Sequence, residues 1–312
     1  MRPIRKFIPK PVRNFLLGCA AKTGFAVGKV MPRGIGLALF SFLGSLCYCL
    51  LSRDRKLTIN NLRFIFGQEW SEKKIRATAR AVFRSLGKNL FDAVNLSAMT
   101  QQKFDAIVSH DSIDGMNAAK VGGKGAVLIT AHLGCFEMLL HFFGRKGFNG
   151  IIIGRPFKNP AVDEVVRKMR RSGPGVEYMD RSESSRKIVR MLQQGKMLGV
   201  LVDQDTKVEG VFADFLGHTA FTPSGAVRFA MKFKIPIFIL LTARLDNNKH
   251  HVFISPELAY INTGDFAADL QFMVQQVNDI ICDYIRKFPE QWVWMHERWK
   301  TKPPPEEEGA DK

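Results

Sequence analysis

From about residue 105 onward, short apolar runs alternate with stretches whose apolar residues recur at intervals of three and four. The runs predict strands near 126–130, 150–153, 176–179, 198–202, 236–243 and 251–255. The intervening stretches predict helices near 134–146, 160–172, 183–194, 223–233 and 266–288. Strands alternating with helices predict an α/β fold with a largely parallel central sheet flanked by helices. Residues 52–100 read as helical. Within them SEKKIRATARAVFRSLGKNLFDAV (71–94) opens on Ser71, a residue type that caps helix N-termini. The ending PPPEEEGADK (303–312) is proline-rich, then acidic, and predicts a disordered tail. No internal repeat is present.

The first 56 residues differ from the rest. They hold eleven basic side chains against one acidic, Asp54, a net +10 out of +17 for the whole chain. Lys22, Lys29 and Arg33, spaced by seven and four, line one side of a predicted helix. GIGLALFSFLGSLCYCLL (34–51) then runs eighteen residues without a charge, the short edge of what crosses a bilayer, and Arg53, Arg55 and Lys56 follow at once. Basic residues at both ends leave a spanning and an interfacial placement open, with a buried core helix as the alternative. No small-residue cleavage site of a signal peptide follows the run. The expected division is an anchoring segment over 1–56, an α/β domain over 57–302 and the tail. Hydrophobic and charged fractions of 46% and 24% are those of a folded globular chain.

Candidate chemistry concentrates in VLITAHLGCFEM (127–138). The apolar run has the length of a buried strand and ends at His132, and Gly134 opens a predicted helix with Glu137 in its first turn. That places an imidazole at a strand's carboxyl end, where open α/β sheets present their ligands. An imidazole titrates near neutrality and accepts a proton from an alcohol, and a neighbouring carboxylate fixes its tautomer and stabilises the imidazolium. Residues five apart in one helix point about 140° apart. His132 and Glu137 therefore converge only if the histidine lies in the turn and the glutamate in the helix.

A second strand, MLGVLV (197–202), ends in Asp203-Gln204-Asp205 and delivers carboxylates to the same sheet edge. Asp203 or Asp205 is a candidate to orient the histidine or meet a substrate hydroxyl; otherwise both simply form a turn. Arg170 and Arg171 close a predicted helix, where cations are favoured and where a guanidinium suits a carbonyl or a phosphate. Thr222-Pro223 reads as an N-cap followed by a first-turn proline, starting a helix whose free amides bind anions.

Other chemistries find less support. There is no G-x-S-x-G elbow, and Cys135 reads as a small buried apolar residue. The five cysteines lack a C-x2-C pair and lie in hydrophobic settings, which argues against a zinc site or disulfide framework and for a reducing compartment. No metal and no cofactor is expected. Trp292, Trp294 and Trp299 read either as interfacial indoles or as packing against the sheet; His296, Arg298 and Lys300 alternate with them as candidate headgroup contacts.

In this order the segments resemble the late acyltransferases of lipid A biosynthesis, the bacterial lauroyl and myristoyl transferases. These sit within the wider H-x4-D/E lysophospholipid acyltransferase superfamily. The likeness runs from the basic apolar anchor through RKLTINNLRFIFG (55–67), AHLGCFE (131–137), GRPFKNPAVD (154–163) and RRSG (170–173). It continues through the DQD at 203–205, GVFADFLGHTAFTPSGAVRFA (210–230) and PEQWVWMHERWKTKP (289–303).

The resemblance implies a bacterial inner-membrane enzyme with its catalytic domain on the cytoplasmic face. It would esterify a hydroxyl of a lipid A precursor with an acyl chain from acyl carrier protein. It implies His132 as general base, Glu137 as its carboxylate partner or a substrate contact, and Asp203 as a second acidic group. Arg171 matches the family's essential arginine, with Arg170 as the alternative; Arg155, Asp205 and Thr222 join Arg170 as candidate substrate contacts. Acyl carrier protein, the lipid A precursor and anionic membrane lipids are all negatively charged, and a basic surface steers each of them. Two rivals stand beside this reading: a same-fold acyltransferase acting on a phosphatidylinositol mannoside or lysophospholipid, and a non-catalytic protein that binds anionic lipid. Charge concentrated beside an apolar anchor argues against nucleic acid as the partner.

Overall fold

The computed structural model describes residues 10–154, 157, 159–171, 173–180 and 185–304. Four helices lead: α1 (Lys10–Val30), α2 (Arg33–Leu50), α3 (Ser52–Phe66) and α4 (Glu72–Asn95). The Ser71 hydroxyl accepts the Lys74 backbone N–H at 3.3 Å and caps α4. Then follow α5 (Gln101–Asp105), β1 (Val108–His110), α6 (Asp114–Val121), β2 (Ala126–Thr130), α7 (Met138–Arg145), β3 (Gly150–Gly154), α8 (Pro160–Arg170) and β4 (Val176–Asp180). The remainder is α9 (Ser185–Gln193), β5 (Met197–Leu201), β6 (Gly210–Phe215), β7 (His218–Pro223), α10 (Gly225–Phe233), β8 (Ile237–Arg244), β9 (His250–Ile254) and α11 (Phe266–Lys287).

The sheet order is β1-β9-β8-β2-β5-β3-β4. From β8 to β4 every neighbouring pair is parallel; β9 runs antiparallel to β8, and β1 lies parallel to β9. The fold is therefore the α/β class that the apolar pattern predicts, with a largely parallel sheet. Its centre is β2, all five residues of which are buried. Val127 and Ile129 enter the core on one face, Ala126 and Leu128 the core on the other. A strand covered on both faces has no polar side, which is why it reads as an unbroken apolar run.

The predicted strands and helices over 126–288 all form, with shifted ends. The pattern misses α5, β1, α6 and the hairpin β6–β7. That hairpin turns through Leu216 and Gly217, both at positive φ (59° and 88°), as tight two-residue β-turns require. It also corrects the reading of Thr222-Pro223, which belong to β7; α10 starts only at Gly225, after Ser224. Long-range pairing with β6 takes precedence over a local capping signal. Likewise α7 begins at Met138 rather than 134, because Leu133 bridges to Trp292 and Gly134 bends back at φ 57°.

The N-terminal helices lie against the domain. Gly18 of α1 packs on Ala161 of α8, and Phe25 clusters with Met169. Lys22 pairs with Glu164 across that contact. Arg33 points inward, donating to both oxygens of Asp92 at 2.9 Å, so Lys22, Lys29 and Arg33 do not form one solvent-facing row. Trp292, Trp294 and Trp299 are buried in the core, which overturns the interfacial reading of these indoles. Arg298 is buried too: it donates to the Phe221 carbonyl at 2.5 Å and the Thr222 hydroxyl at 2.7 Å, so it is no headgroup contact. Most of the predicted tail, 305–312, lies outside the described residues.

Candidate active site

β2 and β5 are neighbours in register, with Thr130 opposite Leu201. Two residues further along both strands, at the carboxyl edge, stand His132 and Asp203. Asp203 Oδ1 meets His132 Nδ1 at 2.8 Å, and Oδ2 accepts the His132 backbone N–H at 2.8 Å and the Trp292 indole N–H at 2.7 Å. Burial pushes the Asp203 carboxyl up, but the His132 ring, the indole and the amide outweigh it and hold it below the usual carboxylate range. An ionised Asp203 means that Nδ1 carries the imidazole proton and Nε2 the lone pair. The His132 side chain, 24% exposed, edges Phe136 and opens onto a cleft.

The loop carrying His132 is clamped. Its carbonyl accepts from Val293 N–H at 3.1 Å, and Gly134 N–H donates to Gln291 at 3.0 Å. Asn89 of α4 donates to the Gly134 carbonyl at 2.8 Å. A Cβ at Gly134 would lie 2.1 Å from the Thr242 carbonyl, so both its φ and its space demand glycine.

The cleft follows from the topology. β3 pairs with β5 only over 150–152 and 197–199, whereas β2–β5 and β3–β4 pair over five residues each. Beyond Ile152 and Gly199 the sheet forks. The chain leaves β3 toward β4 and β5 toward β8, so the fork is the topological switch point, where open α/β sheets bind ligands. The cavity there holds about 500 Å³, within the ordinary ligand-site range of ~300–1,000 Å³. His132, Glu137, Arg170 and Gln204 line its head, while Leu128, Leu140, Phe143, Ile152, Leu201 and Leu240 make the deeper walls apolar.

Glu137, just ahead of α7, is not the histidine's partner. Its carboxylate receives Arg170 through Nε at 3.2 and 3.1 Å and Nη2 at 2.5 Å. Burial would lower the Arg170 pKa, but the bonds to Glu137 and Tyr178 raise it, so the guanidinium stays charged beside the cleft. Arg171 is exposed near Glu164, Arg167 and Lys168, away from the cleft. The helix phase carried this signal: Arg170 follows Val166 by four residues and adjoins Met169, the buried residue of α8, whereas Arg171 points about 200° from Met169.

Asp205 does not line the cleft; its carboxylate accepts the Thr301 amide at 2.8 Å and hydroxyl at 3.0 Å. Thr222 is buried under Arg298 and Asn278, also outside the cleft. Arg155 lies outside the described residues. Burial and nearby Asp92 push the Cys135 thiol up to about 12, which leaves it un-ionised and inert as a nucleophile at neutral pH. The bond of Trp292 to Asp203 and that of Asn89 to Gly134 were not legible in the sequence, since nothing local marks an indole or an amide for a partner dozens of residues away.

One pH effect follows. A carboxyl whose folded pKa is depressed stabilises the native state above its unfolded value of about 3.9, and that contribution is lost as pH falls through the folded value. Asp203 is such a group, and Asp92 is another. Urea midpoints are expected to drop below about pH 4, and Asp203→Asn is expected to flatten that acid limb. An acid limb unchanged in Asp203→Asn would mean that the carboxylate is not held ionised.

Fold and site together define an α/β protein with a histidine–aspartate pair at the head of an apolar slot, an arrangement suited to a polar group joined to a long apolar chain. The family model described as "Bacterial lipid A biosynthesis acyltransferase" matches residues 15–301. The chain belongs to that family. It is 24% identical over 279 residues to the lipid A biosynthesis palmitoleoyltransferase of Escherichia coli (strain K12), covering 88% of this chain and 87% of that protein. It is 23% identical over 268 residues to the lipid A biosynthesis lauroyltransferase of the same strain, covering 84% of each. A lipid A biosynthesis acyltransferase of Haemophilus influenzae is 23% identical over 257 residues, covering 80% of this chain and 77% of that protein.

Proposed function

We propose that this protein transfers a fatty acyl chain from acyl carrier protein to a hydroxyl of a lipid A precursor, at the cytoplasmic face of the bacterial inner membrane. The observation that carries the reading is the His132–Asp203 pair at the head of the apolar cleft. His132 Nε2 takes the acceptor's hydroxyl proton as the oxygen attacks the thioester carbonyl. The tetrahedral intermediate collapses, the C–S bond breaks, and the imidazolium returns the proton to the leaving thiolate. Ester and thiol are the products, with no net proton change. Asp203 stabilises the imidazolium in between. Arg170, steadied by Glu137, supplies positive charge beside the cleft for the intermediate's oxyanion or a substrate phosphate. A thioester is already activated, so a base, an oxyanion donor and an acyl slot suffice.

The test combines purified protein, acyl-loaded carrier protein and a lipid A precursor, read by mass spectrometry. The expected product is the precursor with one added ester-linked chain, and a deletion strain is expected to lack one secondary acyl chain of its lipid A. Unchanged lipid A in that strain would reject the acceptor assignment and favour another lipid.

Gly199 sets a further expectation. It lies at the crotch of the fork, paired with Leu128 on one side and Ile152 on the other. A Cβ there would touch Ile151 O at 3.7 Å and Ile152 Cγ1 at 4.0 Å, ordinary contacts, so a larger side chain fits the strand and fills the slot. Gly199→Val is expected to shift donor preference toward shorter chains by roughly tenfold or more in a competition between two acyl carrier protein donors. An unaltered preference would place the acyl chain elsewhere.

A further inference from the structure

Helix α2 has two faces of different fate. Gly36, Leu37, Ser41 and Gly44 are buried. On the other side Ile35, Leu39, Phe42, Leu43, Leu46 and Leu50 are exposed, at the spacing of a continuous helical stripe. The buried face runs antiparallel along α4. Arg33 pairs with Asp92, Gly36 abuts Phe91, Ser41 accepts from Arg84 Nε at 3.2 Å, and Tyr48 meets Phe83 and Arg80. Gly44 and Gly87 bring the two backbones into close contact: a Cβ on either would lie about 2 Å from a carbonyl of the other helix (2.2 Å at Phe83, 2.1 Å at Phe40).

That contact decides how α2 meets a membrane. Eighteen residues extend about 27 Å, enough to approach the thickness of the hydrocarbon core. Yet α4 carries Arg80, Arg84, Lys88 and Asp92 at intervals of four, and three of these touch α2 at its end, middle and start. A spanning α2 would drag this charged row into hydrocarbon or strip α2 from its partner. Laid flat, α2 keeps every contact and sinks only its apolar stripe. The exposed Arg53 and Lys56 follow the carboxyl end of α2, where basic side chains suit anionic headgroups, whereas Lys29 at the other end turns over the buried Phe25 ring.

We propose that α2 is an in-plane membrane helix, inserted edge-on into the cytoplasmic leaflet through the Ile35–Leu50 stripe, and not a transmembrane span. The inference rests on the membrane placement proposed above and specifies its geometry. Single reporter cysteines at Gly34→Cys and at the native Cys49, with the other exposed cysteines changed to serine, report the two ends of α2. In full-length protein, a membrane-impermeant maleimide is expected to label both ends in inverted inner-membrane vesicles and neither in spheroplasts. One end labelled in each preparation would overturn the proposal.

Phe42→Asp supplies a second arm. It is expected to weaken partition onto phosphatidylethanolamine–phosphatidylglycerol vesicles more than about tenfold. Thermal unfolding and acyl transfer onto a detergent-dispersed acceptor should remain as in the parent protein. Unchanged vesicle binding would overturn the proposal, as would a self-associated dimer dissolved by Phe42→Asp with vesicle binding intact, since a second copy would then cover the stripe. Acyl transfer that survives loss of His132 would instead sink the catalytic reading and leave the helix placement standing.

Discussion

Replacing His132 with alanine is expected to lower the acyl-transfer rate by about 10²–10⁴-fold, the usual contribution of a positioned general base. The side chain sits at the head of the cleft and takes part in no core cluster, so the variant should fold and bind membranes as the parent does. Asp203→Asn is expected to fall in the same range by a different route. An amide in place of the carboxylate no longer stabilises an imidazolium, and it can present an N–H toward Nδ1, which would turn the imidazole to the wrong tautomer. The two losses should not add, because both residues act through one proton transfer. Steady-state rates with a saturating acyl donor, measured for both singles and the double variant, check this. Full activity in His132→Ala would remove the base assignment outright.

The largest expected effect on stability is at Asp92. Its carboxylate is fully buried between α2, α4, β8 and β9, and it takes Arg33 at 2.9 Å twice, Arg244 at 2.6 Å and His250 at 2.8 Å. Burial alone would raise its pKa, but the bonds to His250 and Arg33 and the charge of Arg244 hold it far below the usual carboxylate value. Asp92→Ala leaves a buried guanidinium and imidazole without their anion, which costs about 3–5 kcal/mol. The damage should reach the site as well, since Arg244 also holds Asn89 at 2.8 Å, and Asn89 holds the carbonyl of Gly134. Urea unfolding measures the first effect, and a rise in the KM for the acyl donor or acceptor the second. A loss under about 1 kcal/mol would mean that surrounding water already screens the cluster.

How much of this was legible in the chain varies by residue. His132 and Asp203 were each placed at a strand end by local apolar runs, and those strands are where the runs put them. That Asp203 and not Glu137 faces the imidazole was not legible. It depends on β5 inserting between β2 and β3, which brings together residues 71 apart in sequence. The choice between Arg170 and Arg171 was recoverable from helix phase, because the inward stripe of α8 is written in its valines. Thr222-Pro223 misled for a physical reason: the residue types that cap helices also end hairpin strands, and only pairing across β6 separates the two.

The chain by itself determined the α/β class, the six strands and five helices read over 126–288, the chemical types at the carboxyl ends of those strands and the basic, apolar character of its first fifth. These follow from periodicity and composition, which act over a few neighbouring residues. Tertiary structure alone decided which strand ends stand side by side, where the sheet forks to open a slot, and which face of α2 stays uncovered. Strand order and helix packing are set by contacts between distant segments, whose free energies no short window of residues contains.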